Sequence, residues 1–119
     1  MNVTVRPVDS DYPEVEVVAR ETEQVLKVYV QRLHHGDAED LARVGVPWFT
    51  GKEGAARRLI AAHGAQAGKP VKAVVADPVT PGLASVELRF ADGSRQTLDL
   101  TREDGVWWVA MGEGDPMKP

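Results

Sequence analysis

The spacing of apolar residues along the chain changes at Pro70. Between Val15 and Leu33, apolar residues recur every three or four positions, which is the period of one face of a helix. After Pro70, apolar and polar residues alternate, which is the period of strands with one buried face. Helices followed by strands predict an α+β domain, with three N-terminal helices packed on a curved antiparallel sheet of about four main strands.

The first predicted helix has recognisable signals at both ends. Pro13 suits the first helical position, with Ser10 or Asp11 as the cap, and Gly36 ends the helix.

Two shorter helices are predicted to follow. Asp37 is the expected N-cap of the second helix. Thr50 and Glu53 have the spacing of a capping box at the start of the third, and Gly64 is expected to end it.

Four segments after Pro70 are predicted to be strands, and three Gly-containing segments at 80–82, 91–93 and 103–105 are predicted turns. The strand segments read VKAVVADPV, LASVELRF, SRQTLDLT and VWWVAM. The N-terminal MNVTVRP also alternates, which fits either a short strand or a disordered arm. We therefore divide the chain into an arm or strand at 1–12, a domain at 13–112 and a tail at 113–119.

The length of the first hairpin loop decides which strand residues share a face. A three-residue loop at 91–93, with Gly93 left-handed, pairs Val86 with Leu98 and keeps the inner face apolar. The opposite face then carries polar residues: Glu87, Arg89, Arg95, Thr97 and Asp99.

The second hairpin decides which of two adjacent tryptophans is buried. A two-residue turn at 104–105 pairs Leu100 with Val109 and turns Trp107 inward. Trp108 then lies on the outer face, because successive strand residues point to opposite faces.

The Trp108 ring on the outer face would be exposed to solvent unless another group packs against it. The candidates are the N-terminal arm through Val3 and Val5, the charged side chains of the outer face, or another subunit.

Composition excludes several classes of function. The chain has no cysteine, a net charge of −4 and no lysine/arginine-rich block, which argues against thiolate metal sites and nucleic-acid binding. No apolar run is long enough to span a membrane, and no signal peptide is evident, so we expect a soluble cytoplasmic protein. His34 and His35 are adjacent, and their side chains diverge by about 100° on a helix. We therefore predict no metal and no cofactor.

Two segments, VLKVYVQRLHHGDAEDLARV and LTREDGVWWVAMG, carry a resemblance to a known family. They resemble the opening helices and the closing hairpin of the NTF2-like (SnoaL-like, cystatin-like) superfamily, and the resemblance covers residues 15–112. It implies a cone-shaped sheet enclosing a pocket, an inward Trp107 and a dimer contact through the outer face around Trp108. The superfamily includes isomerases, dehydratases, cyclases and epoxide hydrolases beside many non-catalytic binding domains.

The predicted register assigns residues to a pocket and to an interface. The pocket candidates are Tyr29, Trp48, Leu88, Phe90, Gln96, Leu98, Leu100, Trp107 and Val109. The interface candidates are Trp108, Arg89, Thr97 and Asp99.

The inner strand face contains no ionisable group, so we expect a non-catalytic domain that binds an apolar ligand or a protein partner and forms a homodimer. The alternative is an acid–base enzyme of the isomerase, dehydratase or cyclase type, acting on an apolar carbonyl substrate. It needs a register shifted by one residue, and Asp99, Arg89 and Tyr29 would be its catalytic groups. A third hypothesis is an accessory or immunity-type protein that docks through its charged outer face.

Overall fold

The computed structural model describes residues 3–78 and 80–116. In it, five strands form one curled half-barrel sheet, and three helices accompany the sheet. The elements are β1 (Val3–Pro7), α1 (Glu14–His35), α2 (Ala38–Ala42), α3 (Lys52–Ala67), β2 (Val71–Val75), β3 (Leu83–Arg89), β4 (Arg95–Glu103) and β5 (Val106–Val109). The sheet order is β1-β2-β3-β4-β5; β1 and β2 are parallel and the other neighbours antiparallel.

The α+β architecture is confirmed, but the predicted strand count was one too low. The fifth strand is β1, in the segment that the sequence left open between a strand and an arm. Residues 1–2 of that segment, Val79 and residues 117–119 of the predicted tail lie outside the described residues. No helix in the described part of the chain is long and apolar enough to cross a membrane.

The ends of α1 follow the prediction at one terminus only. Gly36 is the C-cap, with φ 80°, as predicted. Pro13 occupies the N-cap position and no side chain caps the helix. The predicted cap was wrong, because the Ser10 hydroxyl oxygen accepts a hydrogen bond from the Tyr12 N–H, at 3.0 Å, before the helix begins.

Asp37 caps α2 as predicted, accepting a hydrogen bond from the Asp40 N–H at 3.2 Å. The capping box predicted for α3 was wrong, because Gly51 stands at the N-cap with φ 68° and no side chain caps this helix. Thr50 pairs instead with Glu113, through two backbone hydrogen bonds of 2.9 Å.

Gly64 lies inside α3 and does not end it, contrary to the prediction. A Cβ atom at position 64 would come within 3.1 Å of the Leu33 carbonyl oxygen. This glycine therefore allows close approach of α1 and α3, and the helix continues for another turn to Ala67.

Both predicted hairpin registers are confirmed. Val86 pairs with Leu98, and Gly93 is left-handed with φ 88°. Leu100 pairs with Val109. Positive φ angles at positions 104 and 105, 52° and 77°, are those of a type I′ turn, which matches the twist of the flanking strands.

We call the side of the sheet that packs on the helices the inner face and the other side the outer face. The inner side chains join one stripe of α1 in a single hydrophobic core. Its fully buried members include Leu26, Tyr29, Val30, Leu33, Leu41, Val75, Val86 and Leu88.

The segment between α2 and α3 closes the sheet along the free edge of β5. Val109 exchanges backbone hydrogen bonds with Val44 and Val46, at 2.8 and 2.9 Å. Further on, Gly112 runs so close to Thr50 that a Cβ atom there would collide with the Thr50 carbonyl oxygen. The chain after β5 is thereby held against the start of α3.

Candidate functional site

Most of the side chains predicted to line a pocket lie in the hydrophobic core. Their exposed fractions do not exceed 6%, and they pack in one cluster with α1: Tyr29, Leu88, Phe90, Leu98, Leu100, Trp107 and Val109. Two cavities lined by described residues open at the mouth of the curled sheet and on its outer face.

Tyr29 and Gln96 form a polar pair beside that core. The Tyr29 hydroxyl accepts a hydrogen bond from Gln96 Nε2 at 2.8 Å and lies 3.2 Å from Gln96 Oε1. Burial raises the pKa of Tyr29 to about 12, and the bond to Gln96 offsets only part of that effect. Tyr29 therefore remains protonated at neutral pH.

Trp48, the remaining pocket candidate, lies outside the core cluster. Its indole N–H donates a 2.7 Å hydrogen bond to the Asp115 carbonyl oxygen. Its ring meets the Phe49 ring edge-on, with centroids 6.5 Å apart. Trp48 therefore anchors the chain after β5.

The mouth cavity, of about 300 Å³, lies between the first half of α1 and the loop before β3. Trp107 lines it, and the Arg102 guanidinium stands 5.7 Å from the centre of the Trp107 ring. Arg102 also approaches Glu21, with 3.4 Å between Nη1 and Oε1. The apolar part of the lining consists of Val17, Val18, Pro78, Pro81 and Leu83.

One polar group in the mouth is unsatisfied. The Trp107 indole N–H is buried and has no hydrogen-bond partner among the described residues. A buried donor without a partner costs about 1–3 kcal/mol.

The outer cavity, of about 390 Å³, was not predicted. Asp99 and Thr101 line it on the sheet and Asp77 from the loop after β2, while Phe49, Gly112, Gly114 and Pro116 contribute the rim. Because the rim comes from two segments far apart in sequence, no local pattern indicated this cavity.

The four predicted interface residues all lie on the outer face, as the register required. Arg89, Thr97 and Asp99 are exposed, and Trp108 is half-buried. Trp108 pairs with Thr101, whose side chain is only 4% exposed.

The N-terminal segment does not cover Trp108. Strand β1 lies at the opposite edge of the sheet from β5, and Val3 and Val5 pack against the core on the inner face. The hypothesis that the N-terminal arm packs on Trp108 was wrong, because β1 pairs with β2.

The three candidate catalytic groups are not brought together. Tyr29 lies in the core, whereas Asp99 and Arg89 point outward. Arg89 Nε donates a 2.6 Å hydrogen bond to Glu87 Oε1. Asp99 lines the outer cavity beside Asp77, but neither of the other two candidate groups lines it.

Residues 3–78 and 80–116 contain no group of three or more side chains arranged to hold a metal ion. His63 stacks on Phe90, with ring centroids 5.1 Å apart. Burial lowers the pKa of His63, and the Asp92 carboxylate opposes this effect.

Comparison with family models, curated proteins and solved structures gives no match.

Proposed function

We propose that this chain is a non-catalytic binding domain of the NTF2-like type that forms a homodimer through the outer face of its sheet. The observation that carries the proposal is the apolar end of that face. There Leu83, Thr101 and Trp108 stand side by side on β3, β4 and β5, and Val106 on β5 is 48% exposed. Tryptophan is enriched among the residues that contribute most to protein interfaces.

The shape of the molecule supports a face-to-face contact. A stable interface buries about 800 Å² on each partner. The principal extents of the chain are 37 × 36 × 18 Å, so its broad side is larger than that requirement. A two-fold axis near Trp108 would place the apolar end of one copy against the same end of the other.

Sedimentation velocity at high micromolar concentration tests the dimer. We expect the wild type to sediment as a dimer and Trp108→Glu as a monomer, because the new carboxylate would be buried at the centre of the contact. Val17→Glu is the matched control: Val17 is 43% exposed on α1, away from the outer face, and this variant should remain dimeric. A monomeric wild type would refute the proposal.

A second candidate function is binding of a small apolar ligand in the mouth cavity, favoured by the apolar side chains that line it beside Trp107. The ligand would be mainly apolar, since Val17, Val18 and Pro81 are among the side chains that line the cavity.

The fluorescent probe anilinonaphthalene sulfonate tests this site. Its emission should increase with the wild type and much less with Val17→Glu, whereas Val106→Glu at the other apolar surface should bind it normally. Equal loss of the signal in both variants, or no signal with the wild type, would rule out the mouth site.

A further inference from the structure

Three basic side chains stand in one row across the outer face of the sheet. Lys72 on β2 is the Cα partner of Arg89 on β3, and Arg89 is the partner of Arg95 on β4. Arg6 on β1 pairs with Val74 in the next row. We call Arg6, Lys72, Arg89 and Arg95 the basic patch; all four are exposed.

The row of like charges formed by Lys72, Arg89 and Arg95 does not itself stabilise the fold. Like charges directly opposite on neighbouring strands repel each other, and cross-strand pairs of this kind are unfavourable. One carboxylate lies within the patch: Glu87 Oε1 is 2.6 Å from Arg89 Nε and 3.5 Å from Arg95 Nη1. The hydrogen bond from Arg89, assisted by the charge of Arg95, lowers the pKa of Glu87 and keeps it ionised.

The patch contrasts with the charge of the whole chain. Four cations and one carboxylate give it a net charge of +3, whereas the chain carries −4. The cations are contributed by four different strands, so the fold concentrates them although the sequence contains no basic block.

We propose that the basic patch is a docking surface for an acidic segment of a partner polypeptide. Three neighbouring strands space the charges of Lys72, Arg89 and Arg95 over about 10 Å. Carboxylates at positions i, i+4 and i+7 of a helix cover about the same length. A glutamate-rich helix lying across the strands could therefore face all three cations.

A polypeptide suits this surface better than the other polyanions do. Glu87 stands among the cations, and its carboxylate would repel phosphates and glutamates alike, but the N–H groups and lysines of a polypeptide could donate hydrogen bonds to it. Sites for single-stranded nucleic acids generally combine a positively charged groove with stacking aromatics, and none of the four patch residues is aromatic.

A second copy of the chain would not occupy the patch in the proposed dimer. A two-fold axis near Trp108 leaves the row of Lys72 and Arg89 at the two outer ends of the dimer. Superposing one basic row on the other would add repulsion between like charges.

Fluorescence anisotropy with a labelled octa-glutamate peptide tests the proposal at low salt. The triple variant K72Q/R89Q/R95Q should weaken binding by at least about tenfold, because three charge contacts are removed. The control triple K27Q/R57Q/R58Q removes the same charge from exposed positions on α1 and α3, and it should change the affinity by less than about twofold. Far-UV circular dichroism checks that both fold.

A gain-of-affinity variant keeps the test independent of lost folding. Glu87→Gln removes the one carboxylate of the patch and should tighten peptide binding several-fold, with an effect that decreases as salt increases. Equal losses in both triples, no binding of the peptide by the wild type, tighter binding of a DNA oligonucleotide of equal charge, or dissociation of a wild-type dimer by the patch triple would each overturn the proposal.

Discussion

The inner and outer faces of the sheet are built from alternate residues of the same strands, yet they differ in what determines them. On β3, Val86 and Leu88 are fully buried against the helices. Their neighbours Glu87 and Arg89 contact each other and solvent. Any change on the inner face must be accommodated by a packed core, whereas the outer face has few neighbours to constrain it.

The two faces also differ in what their side chains contribute to the monomer. Inner residues are mainly apolar, apart from Gln96 and Arg102, and their packing accounts for the fold. Outer residues include a row of repelling cations at one end and, at the other, a tryptophan that the monomer buries only in part. A binding partner is the simplest physical reason for like charges placed side by side and for a large apolar ring left partly exposed.

The largest expected difference separates the two adjacent tryptophans. Trp107→Ala should lower the free energy of unfolding by about 3–5 kcal/mol, because it leaves a cavity in the core. Trp108→Ala should cost about half of that, since its ring is only partly enclosed. Urea unfolding followed by circular dichroism, at two protein concentrations, measures both. Similar losses for the two variants would mean that the outer face is as closely packed as the inner.

A smaller effect is expected at alkaline pH. The pKa of Tyr29 is raised from 10.0 to about 12 in the folded state, so the unfolded chain loses this proton first. The contribution of Tyr29 is fully present below pH 10 and is lost as pH increases towards 12. By pH 11 the loss is about 1.4 kcal/mol.

Comparing Tyr29→Phe with Tyr12→Phe isolates that contribution. Stability measured from pH 9 to 11 should decline less steeply in Tyr29→Phe, which has no buried hydroxyl to ionise. Tyr12 is 64% exposed, and its variant should keep the wild-type slope. If stability declined with pH as steeply in Tyr29→Phe as in the wild type, burial in the core would not be raising the pKa of Tyr29.

The smallest effect is expected on the outer face. Lys72→Thr should raise the free energy of unfolding by about 0.3 kcal/mol at low salt, because it removes a positive charge that faces Arg89. Lys27→Gln should have the opposite sign, since Lys27 lies 3.3 Å from Glu23 on α1. Thermal unfolding at low and high salt compares them, and both differences should decrease at high salt. A clear loss of stability in Lys72→Thr would contradict the claim that the row is unfavourable.

Local signals predicted the hairpins correctly. The turns at 91–93 and 104–105 contain their own register information, because Gly93 and Gly105 supply positive φ angles where the loops need them. Once the loop lengths are fixed, alternation decides that Trp107 is buried and Trp108 is not.

Long-range contacts explain the errors. Thr50 has the spacing of a helix cap, but its backbone pairs with Glu113, more than sixty residues away. Gly64 resembles a helix stop, but it lies where α3 passes the Leu33 carbonyl group. In both cases a distant segment determines the role of the residue, and a pattern within one window cannot contain that information.

The candidate surfaces were only partly predictable for the same reason. The outer position of Trp108 followed from register, whereas the basic patch joins four strands and the outer cavity depends on Phe49 and the chain after β5. Residues contributed from so many segments become neighbours only after folding.

The parallel ladder between β1 and β2 has a consequence for the order in which the chain folds. About sixty residues, including all three helices, separate the two strands, whereas the β3–β4 and β4–β5 hairpins each close over a few residues. Closing the longer loop costs more chain entropy, so the hairpins can form first and β1 can join only after α1 and α3 have docked. Amide protons of β1 should accordingly exchange with solvent deuterium earlier than those of β4, and brief openings of the native state should begin at this edge of the sheet.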